Sequence, residues 1–233
     1  MKAAPGARSW IAAGVRHEVL TRALPALRHD MAAPVSVMRM GLLMLRRQVA
    51  SATIDPAACE ERVALIDSQI AELVSAVRSL RDWELATDDE GITRRGLVAQ
   101  CVGLMRAAFD LHGIRLQVDP SLTGESVDGA DVADPGPKYP SGASLRYLFL
   151  AALGYLHDTP PDVGAITVQP DGDDAVVLRV VTGARDAADV MAGAHRAPRK
   201  LAIDGIALQS LADDLGYALT IERDAVRLPL APA

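Results

Sequence analysis

His29 is followed directly by an acidic residue, Asp30, and five positions later by Pro34. An imidazole in water is a nucleophile near neutral pH, and an adjacent carboxylate can orient its ring or accept a proton. Pro34 has no backbone N–H, so it removes a helical hydrogen bond and loosens the helix where a partner would dock. A lone histidine on a helix surface usually has no chemical role, but these three residues together make His29 the candidate nucleophile.

The helix that carries His29 is predicted from a regular apolar pattern between residues 16 and 49. Apolar side chains recur there at intervals of three and four, which is typical of a coiled-coil seam: Leu20, Leu24, Leu27, Met31, Val35, Met38, Leu42, Leu45 and Val49. We expect Pro25 and Pro34 to bend or open this helix. His29 lies two residues from both Leu27 and Met31, roughly 200° from the seam at about 100° per residue. Its side chain is therefore predicted to face outward.

A second apolar seam follows a break at residues 51–56, where Asp55-Pro56 predicts a helix start. Its members are Val63, Ile66, Ile70, Leu73, Val77 and Leu80. Two seams with a short connection predict an antiparallel helical hairpin. Because a lone hairpin leaves most of both seams in water, we expect two copies to pair into a four-helix bundle, which implies a homodimer. The alternative is that the seams pack on the rest of the same chain.

The second half of the chain predicts alternating helices and strands. An acidic linker at 87–91 precedes it, and a long loop is predicted at 119–142. The predicted helices are 94–111, 145–157 and 201–215, and the predicted strands are 114–118, 165–169, 175–181, 217–222 and 225–228. The fold class is therefore α+β: a helical hairpin, and an α/β sandwich whose antiparallel or mixed sheet is covered by helices on one face. The predicted divisions are a flexible N-terminus (1–15), a hairpin domain (16–86) and a C-terminal domain (92–233).

Composition excludes several classes of protein. The net charge of −6 argues against a general nucleic-acid binder, which usually has a basic excess. Only Cys59 and Cys101 are present, too few for a disulfide scaffold or a cysteine-rich zinc site. Without a signal peptide or an apolar run of roughly 20 residues, we expect a cytoplasmic protein that does not bind membranes.

The segment His29-Asp30-Met-Ala-Ala-Pro34-Val35 resembles the phosphoacceptor box of bacterial two-component histidine kinases. That box has a histidine, an acidic residue and a proline five positions after the histidine, on the first helix of a dimeric hairpin. Beyond residue 16, the order of elements resembles that family throughout. The second half then corresponds to its ATP-binding domain.

The nucleotide-binding motifs of that family are not matched. The chain contains no asparagine, and alignment places Tyr155, or at best Ala151, at the position of the magnesium–ATP asparagine. The glycine-rich motif after the central strand is replaced by Thr182-Gly-Ala-Arg-Asp186, without its adenine-contacting aspartate. The second glycine-rich motif is reduced to Asp204-Gly205-Ile-Ala-Leu208, and one glycine does not form a phosphate cradle. ATP hydrolysis and autophosphorylation are therefore not expected.

A phosphoacceptor hairpin with a degenerate kinase-like domain resembles the ChpT-type histidine phosphotransferases. The resemblance implies that the protein relays a phosphoryl group between the receiver domains of response regulators and of a hybrid histidine kinase. It would need no cofactor of its own, since each receiver brings its magnesium. His29 would be the phosphoacceptor, Asp30 the orienting carboxylate and Arg28 a possible phosphate contact. The residues expected to contact the partner are Ala32, Ala33, Pro34, Arg39 and Met40.

Charge favours an acidic partner for the first helix. Between Arg16 and Arg47 it carries six arginines against two acidic residues, in a chain that is acidic overall. Opposite potentials speed association with acidic receiver sites, although a solvated basic face is the simpler interpretation for any single arginine. Two alternatives stay open: a non-catalytic dimeric scaffold that sequesters response regulators, and an ATP-dependent histidine kinase with divergent motifs.

Overall fold

The computed structural model describes residues 5–85, 91–123, 136–183 and 201–232. The chain divides into two compact units. The hairpin unit is Leu24–Glu84, and the sheet unit combines Met1–Ala23 with Leu85–Ala233. Apart from Gly91, the predicted acidic linker lies outside the described residues.

Helix α1 (Pro5–Val49) begins eleven residues before the predicted start at Arg16 and runs through Pro25 and Pro34 as a helix. The predicted start of this helix is therefore wrong, while the flexibility expected of residues 1–15 stays a prediction. The helical form of this segment has a tertiary cause, because Ala12, Val15, Val19 and Ala23 are buried in the sheet unit at intervals of three and four. That burial outweighs the poor helix propensity of the two glycines in this segment.

A mixed sheet forms the centre of the sheet unit. Its strands are β2 (Arg115–Val118), β4 (Val163–Asp171), β5 (Ala175–Thr182), β6 (Thr220–Ile221) and β7 (Ala225–Pro229), and a separate antiparallel pair joins β1 (Ile92–Thr93) to β3 (Lys138–Tyr139). The five strands lie in the order β2-β4-β5-β7-β6, with β2 parallel to β4 and the other pairs antiparallel. Of the antiparallel and mixed sheets that the sequence left open, the structure has the mixed one.

Helices cover one face of this sheet. They are α3 (Arg94–Leu111), the short α4 (Pro120–Thr123), α5 (Gly142–Asp158) and α6 (Gly205–Leu215). Helix α5 is buried along nearly its whole length, and Phe149 and Leu153 are fully enclosed. Of the predicted loop at 119–142, residues 124–135 lie outside the described part. Helix α6 starts at Gly205 rather than at the predicted Leu201, because the Asp204 side chain caps it by accepting the backbone N–H of Ala207.

A buried ion-pair network fixes the first part of α1 within the sheet unit. The Arg22 guanidinium donates to Glu18 at 2.8 Å, to Asp158 at 2.8 and 3.3 Å, and to the Leu201 carbonyl at 2.8 Å. Asp158 also accepts from the backbone N–H of Ile203 at 2.9 Å and lies 2.7 Å from Nδ1 of His157. Burial alone would raise the pKa of Asp158, but the hydrogen bonds from His157, Arg22 and Ile203 outweigh it and lower that pKa to about 2.

The hairpin unit pairs the rest of α1 with α2 (Pro56–Ser79), which a 3₁₀ turn (Leu80–Trp83) extends. The predicted start of α2 is confirmed, because the Asp55 side chain accepts the N–H groups of Ala57 and Ala58. The helices approach each other closely at Gly41, where a Cβ atom would lie 3.1 Å from Cγ1 of Ile66. None of the residues of α2 is buried.

Candidate functional site

His29 lies on the surface of the hairpin unit, with 80% of its side chain exposed. The outward direction predicted from the helical phase is therefore confirmed. Its Nδ1 atom is 3.5 Å from Oδ1 of Asp30, at the limit of hydrogen-bond distance. A carboxylate there favours a proton on Nδ1, which leaves Nε2 with the lone pair that can attack an electrophile.

The ring stands at the edge of a shallow groove between α1 and α2. Helix α1 contributes His29, Asp30, Ala33 and Pro34, and helix α2 contributes Glu72, Ser75, Ala76 and Ser79. The two alanines keep the groove open, since their side chains end at Cβ. Within it, the Ser79 hydroxyl donates to the Ala76 carbonyl at 2.8 Å. The groove therefore combines an imidazole, two carboxylates and two hydroxyls around small side chains.

The sequence alone does not predict the residues of α2 that line the groove. Glu72, Ser75, Ala76 and Ser79 recur at intervals of three, one and three, which places them on one side of a helix. What the sequence lacks is the register of the two helices. The contact between Gly41 and Ile66 supplies it, since stepping back along α1 and forward along α2 brings Ser75 and Ser79 to the helical turn that carries His29.

The other predicted site residues lie outside the groove. Arg28, Ala32, Arg39 and Met40 are all exposed on α1, but they do not line the groove.

Two of the six arginines that make the first helix basic form ion pairs in the sheet unit. Arg16 pairs with Asp214 at 2.5 Å and Arg22 is buried in its network, both in the sheet unit. The exposed arginines of α1 in the hairpin unit are Arg28, Arg39, Arg46 and Arg47.

The opposite side of the hairpin is apolar and exposed. On α2 the exposed apolar side chains are Val63, Ile70, Val74 and Val77, and on α1 they include Val35, Leu42 and Val49. Both sets are spaced largely at sevens, so each forms a line along its helix. At 100° per residue the α1 line lies roughly 120° or more around the helix from His29. These two lines form the apolar face of the hairpin, whereas the side with His29 combines its polar groups with the exposed side chains of Met40, Leu43 and Met44.

The residues aligned with the nucleotide-binding motifs pack and form hydrogen bonds within the sheet unit. Tyr155 and Ala151 are both buried, and the Tyr155 hydroxyl donates to the Glu222 carbonyl at 2.8 Å. The tyrosine ring also lies against Gly205, where a Cβ atom would be 3.9 Å from it. Since the Asp204 carboxylate caps this end of α6, negative charge already occupies the position that would favour a phosphate. Of the predicted motif Thr182–Asp186, only the first two residues are described.

Within the described residues, no group of three or more His, Cys, Asp or Glu side chains is arranged to hold a metal ion. No helix in that part of the chain combines the length and the apolar character needed to cross a bilayer.

Comparison with known proteins gave matches in structure only. No protein-family model matches the chain, and no curated protein matches its sequence. The histidine kinase AdeS of Acinetobacter baumannii is similar over 87% of this chain and 98% of its own, with a TM-score of 0.33 and 10% identity. Full-length ShkA, in a crystal structure with AMPPNP, is similar over 91% of this chain and 46% of its own, with a TM-score of 0.32 and 17% identity. Likeness at this level establishes neither the fold nor the activity of this chain.

Proposed function

We propose that this protein is a histidine phosphotransferase, which relays a phosphoryl group between receiver domains through His29 and without ATP. One observation carries the proposal: a mid-helix imidazole is exposed to water, has a carboxylate at Nδ1 and stands at the edge of a groove of small side chains. The resemblance of His29-Asp30 and Pro34 to a phosphoacceptor box supplies the reaction class.

In the proposed reaction, Nε2 of His29 attacks the phosphorus of an aspartyl phosphate on the receiver. A bond forms from Nε2 to phosphorus, and the bond from phosphorus to the receiver carboxylate breaks, so that the carboxylate leaves with the electron pair. The proton stays on Nδ1, where Asp30 stabilises the positive charge of the phosphorylated ring. Transfer to a second receiver is the reverse step. Positioning supplies most of the catalysis, and the receiver brings its own magnesium.

The groove beside His29 suits a docking partner. Ala33 and Ala76 allow a close approach, and Pro34 has no N–H to donate to the Asp30 carbonyl. We expect the receiver to contact Ala32, Ala33 and Met40, with Arg28 and Arg39 facing its acidic site, whereas Pro34, also predicted as a contact, is buried. The four exposed arginines of the hairpin unit add the long-range attraction.

The apolar face of the hairpin favours a homodimer. An isolated pair of helices does not bury enough apolar surface for stability, and exposed lines of valine, leucine and isoleucine side chains mark an interface. Pairing this face with the same face of a second copy gives the four-helix bundle and leaves the face with His29 free.

The deciding experiment mixes the full chain with receiver domains that carry a labelled aspartyl phosphate. We expect an acid-labile, base-stable adduct that forms on the wild type and not on His29→Ala. His17→Ala is the matched control, since His17 is also exposed on α1, and it keeps full labelling. Asp30→Asn should still accept the label, but at least about tenfold more slowly.

Three results separate the proposal from its alternatives. Label on His29→Ala, or no adduct with any of several receivers, would overturn phosphotransfer. Receiver binding that survives in His29→Ala without any adduct on the wild type would indicate a scaffold. Label transferred from ATP alone would indicate a kinase.

A further inference from the structure

Ser75 has an exposed side chain on α2, in the wall of the groove that lies across from His29. A serine within a helix can donate its hydroxyl proton to a carbonyl of the preceding turn, as Ser79 does to Ala76 at 2.8 Å in this groove. Among the residues that the structure describes, the Ser75 hydroxyl has no hydrogen-bond partner. It can therefore turn toward a group in the groove and donate its proton there.

The register of the hairpin places Ser75 near the level of His29. Gly41 of α1 lies against Ile66 of α2. Nine residues back from Gly41 is Ala32, and nine residues forward from Ile66 is Ser75. At about 1.5 Å per residue, Ser75 is therefore about 4.5 Å along the helix axis from the level of His29. The imidazole and the hydroxyl line one cavity of 440 Å³, so a group that fills it beside the ring also meets the hydroxyl.

The groove contains few groups that can donate a hydrogen bond to an anion. None of the described residues that line it is an arginine or a lysine, and the carboxylates of Asp30 and Glu72 only accept when they are ionised. Ser79 already donates to its own helix, which leaves Ser75 as the available hydroxyl. A phosphoryl group carries negative charge on its oxygens, and a hydrogen bond from a hydroxyl to such an oxygen is of the strong, charge-assisted kind.

We propose that the Ser75 hydroxyl donates a hydrogen bond to a phosphoryl oxygen while the phosphoryl group is transferred to or from His29. This inference rests on the proposed function, and it adds a catalytic residue on the helix opposite the nucleophile. The hydroxyl proton stays on Oγ, so the bonds that form and break remain those between phosphorus, Nε2 and the receiver carboxylate. A docked receiver covers the groove and excludes water, which strengthens this hydrogen bond.

The test measures single-turnover transfer to the full chain from receiver domains that carry a labelled aspartyl phosphate, over a range of receiver concentrations. Ser75→Ala should lower the rate at saturating receiver about threefold to tenfold and leave the receiver concentration at half-maximal rate unchanged. The reverse step, from labelled His29 to an unlabelled receiver, should slow by the same factor, since both directions share one transition state. Ser75→Thr keeps a hydroxyl and should restore most of the rate.

Ser68→Ala is the matched control, because Ser68 is an exposed serine on the same side of α2, two helical turns farther from His29. Its hydroxyl donates to the Leu65 carbonyl at 2.9 Å, and we expect its removal to leave both rates unchanged. Ser79→Ala removes the other hydroxyl of the groove and should change the rates less than about twofold, since that proton is already used within α2.

Equal rates for the wild type and Ser75→Ala, with a normal adduct on His29, would overturn this inference and leave phosphotransfer standing. A loss of rate in Ser79→Ala alone would overturn it too. A change confined to the half-maximal receiver concentration would also do so, because it would indicate a role in docking rather than in transfer. If the wild type forms no adduct with any receiver, the proposed function fails, and the role of Ser75 fails with it.

Discussion

Helices α5 and α2 both carry a long apolar pattern but are opposite in burial. Of the 17 residues of α5, 14 are buried, whereas none of the 24 residues of α2 is. Helix α5 lies between other helices and a five-stranded sheet that closes its own core, while α2 has one helix beside it. An apolar period therefore identifies the side of a helix that packs against another surface. It does not tell whether that surface belongs to the same chain.

The largest expected effect tests this contrast directly. Phe149→Ala, at a fully buried site of α5, should lower the free energy of unfolding by about 3–5 kcal/mol, because it opens a cavity. Leu42→Ala, at a half-exposed site of the hairpin, should cost less than about 1 kcal/mol at concentrations below dimerisation. Urea unfolding followed by circular dichroism measures both. Equal losses would show that the hairpin has a core of its own.

The second prediction concerns the charges that hold the first part of α1 in the sheet unit. The pKa of Asp158 is lowered to about 2, so its carboxylate contributes stability that is present above about pH 4 and lost as the pH falls toward 2. Asp158→Asn should therefore cost roughly 2 kcal/mol or more at pH 7, and much less at pH 2.5. Urea unfolding of both proteins at the two pH values measures this difference. If Asp158→Asn lowered the free energy of unfolding equally at both pH values, the ion pair with Arg22 would not be the source of that loss.

The smallest of the three effects distinguishes the two faces of the hairpin. Ile70→Glu places a charge on the apolar face and should weaken dimerisation at least about tenfold, since an apolar side chain contributes about 1.5–3 kcal/mol when buried. Met40→Glu, an exposed position expected to contact the receiver, is the matched control and should keep the dimer while slowing transfer from a phosphorylated receiver. Sedimentation velocity and the labelling assay read the two effects. If Met40→Glu weakened the dimer and Ile70→Glu only slowed transfer, the roles assigned to the two faces would be exchanged.

Prediction from the sequence succeeded where local signals agreed. Helix α3 has the predicted bounds, because Thr93 caps it through Gly96 N–H and its apolar period continues to the end. The turn after Pro170 separates two strands as expected. Strands β1 and β3 are not predicted, because a strand of two residues is too short to show an alternating apolar pattern. The start of α1 was placed too late because Pro5, Gly6 and Gly14 are typical of loops, while distant contacts keep this segment helical.

The sequence by itself determined which residues of α1 and α2 share a side of their helix, and hence that His29 faces away from the apolar seam. Helical phase is a local property, fixed by about 3.6 residues per turn. Only the tertiary structure decided that Arg22 enters a buried ion pair with Asp158, and that Glu72, Ser75 and Ser79 stand across a groove from His29. Those outcomes depend on how distant segments pair, and no period within one segment encodes the register of its partner.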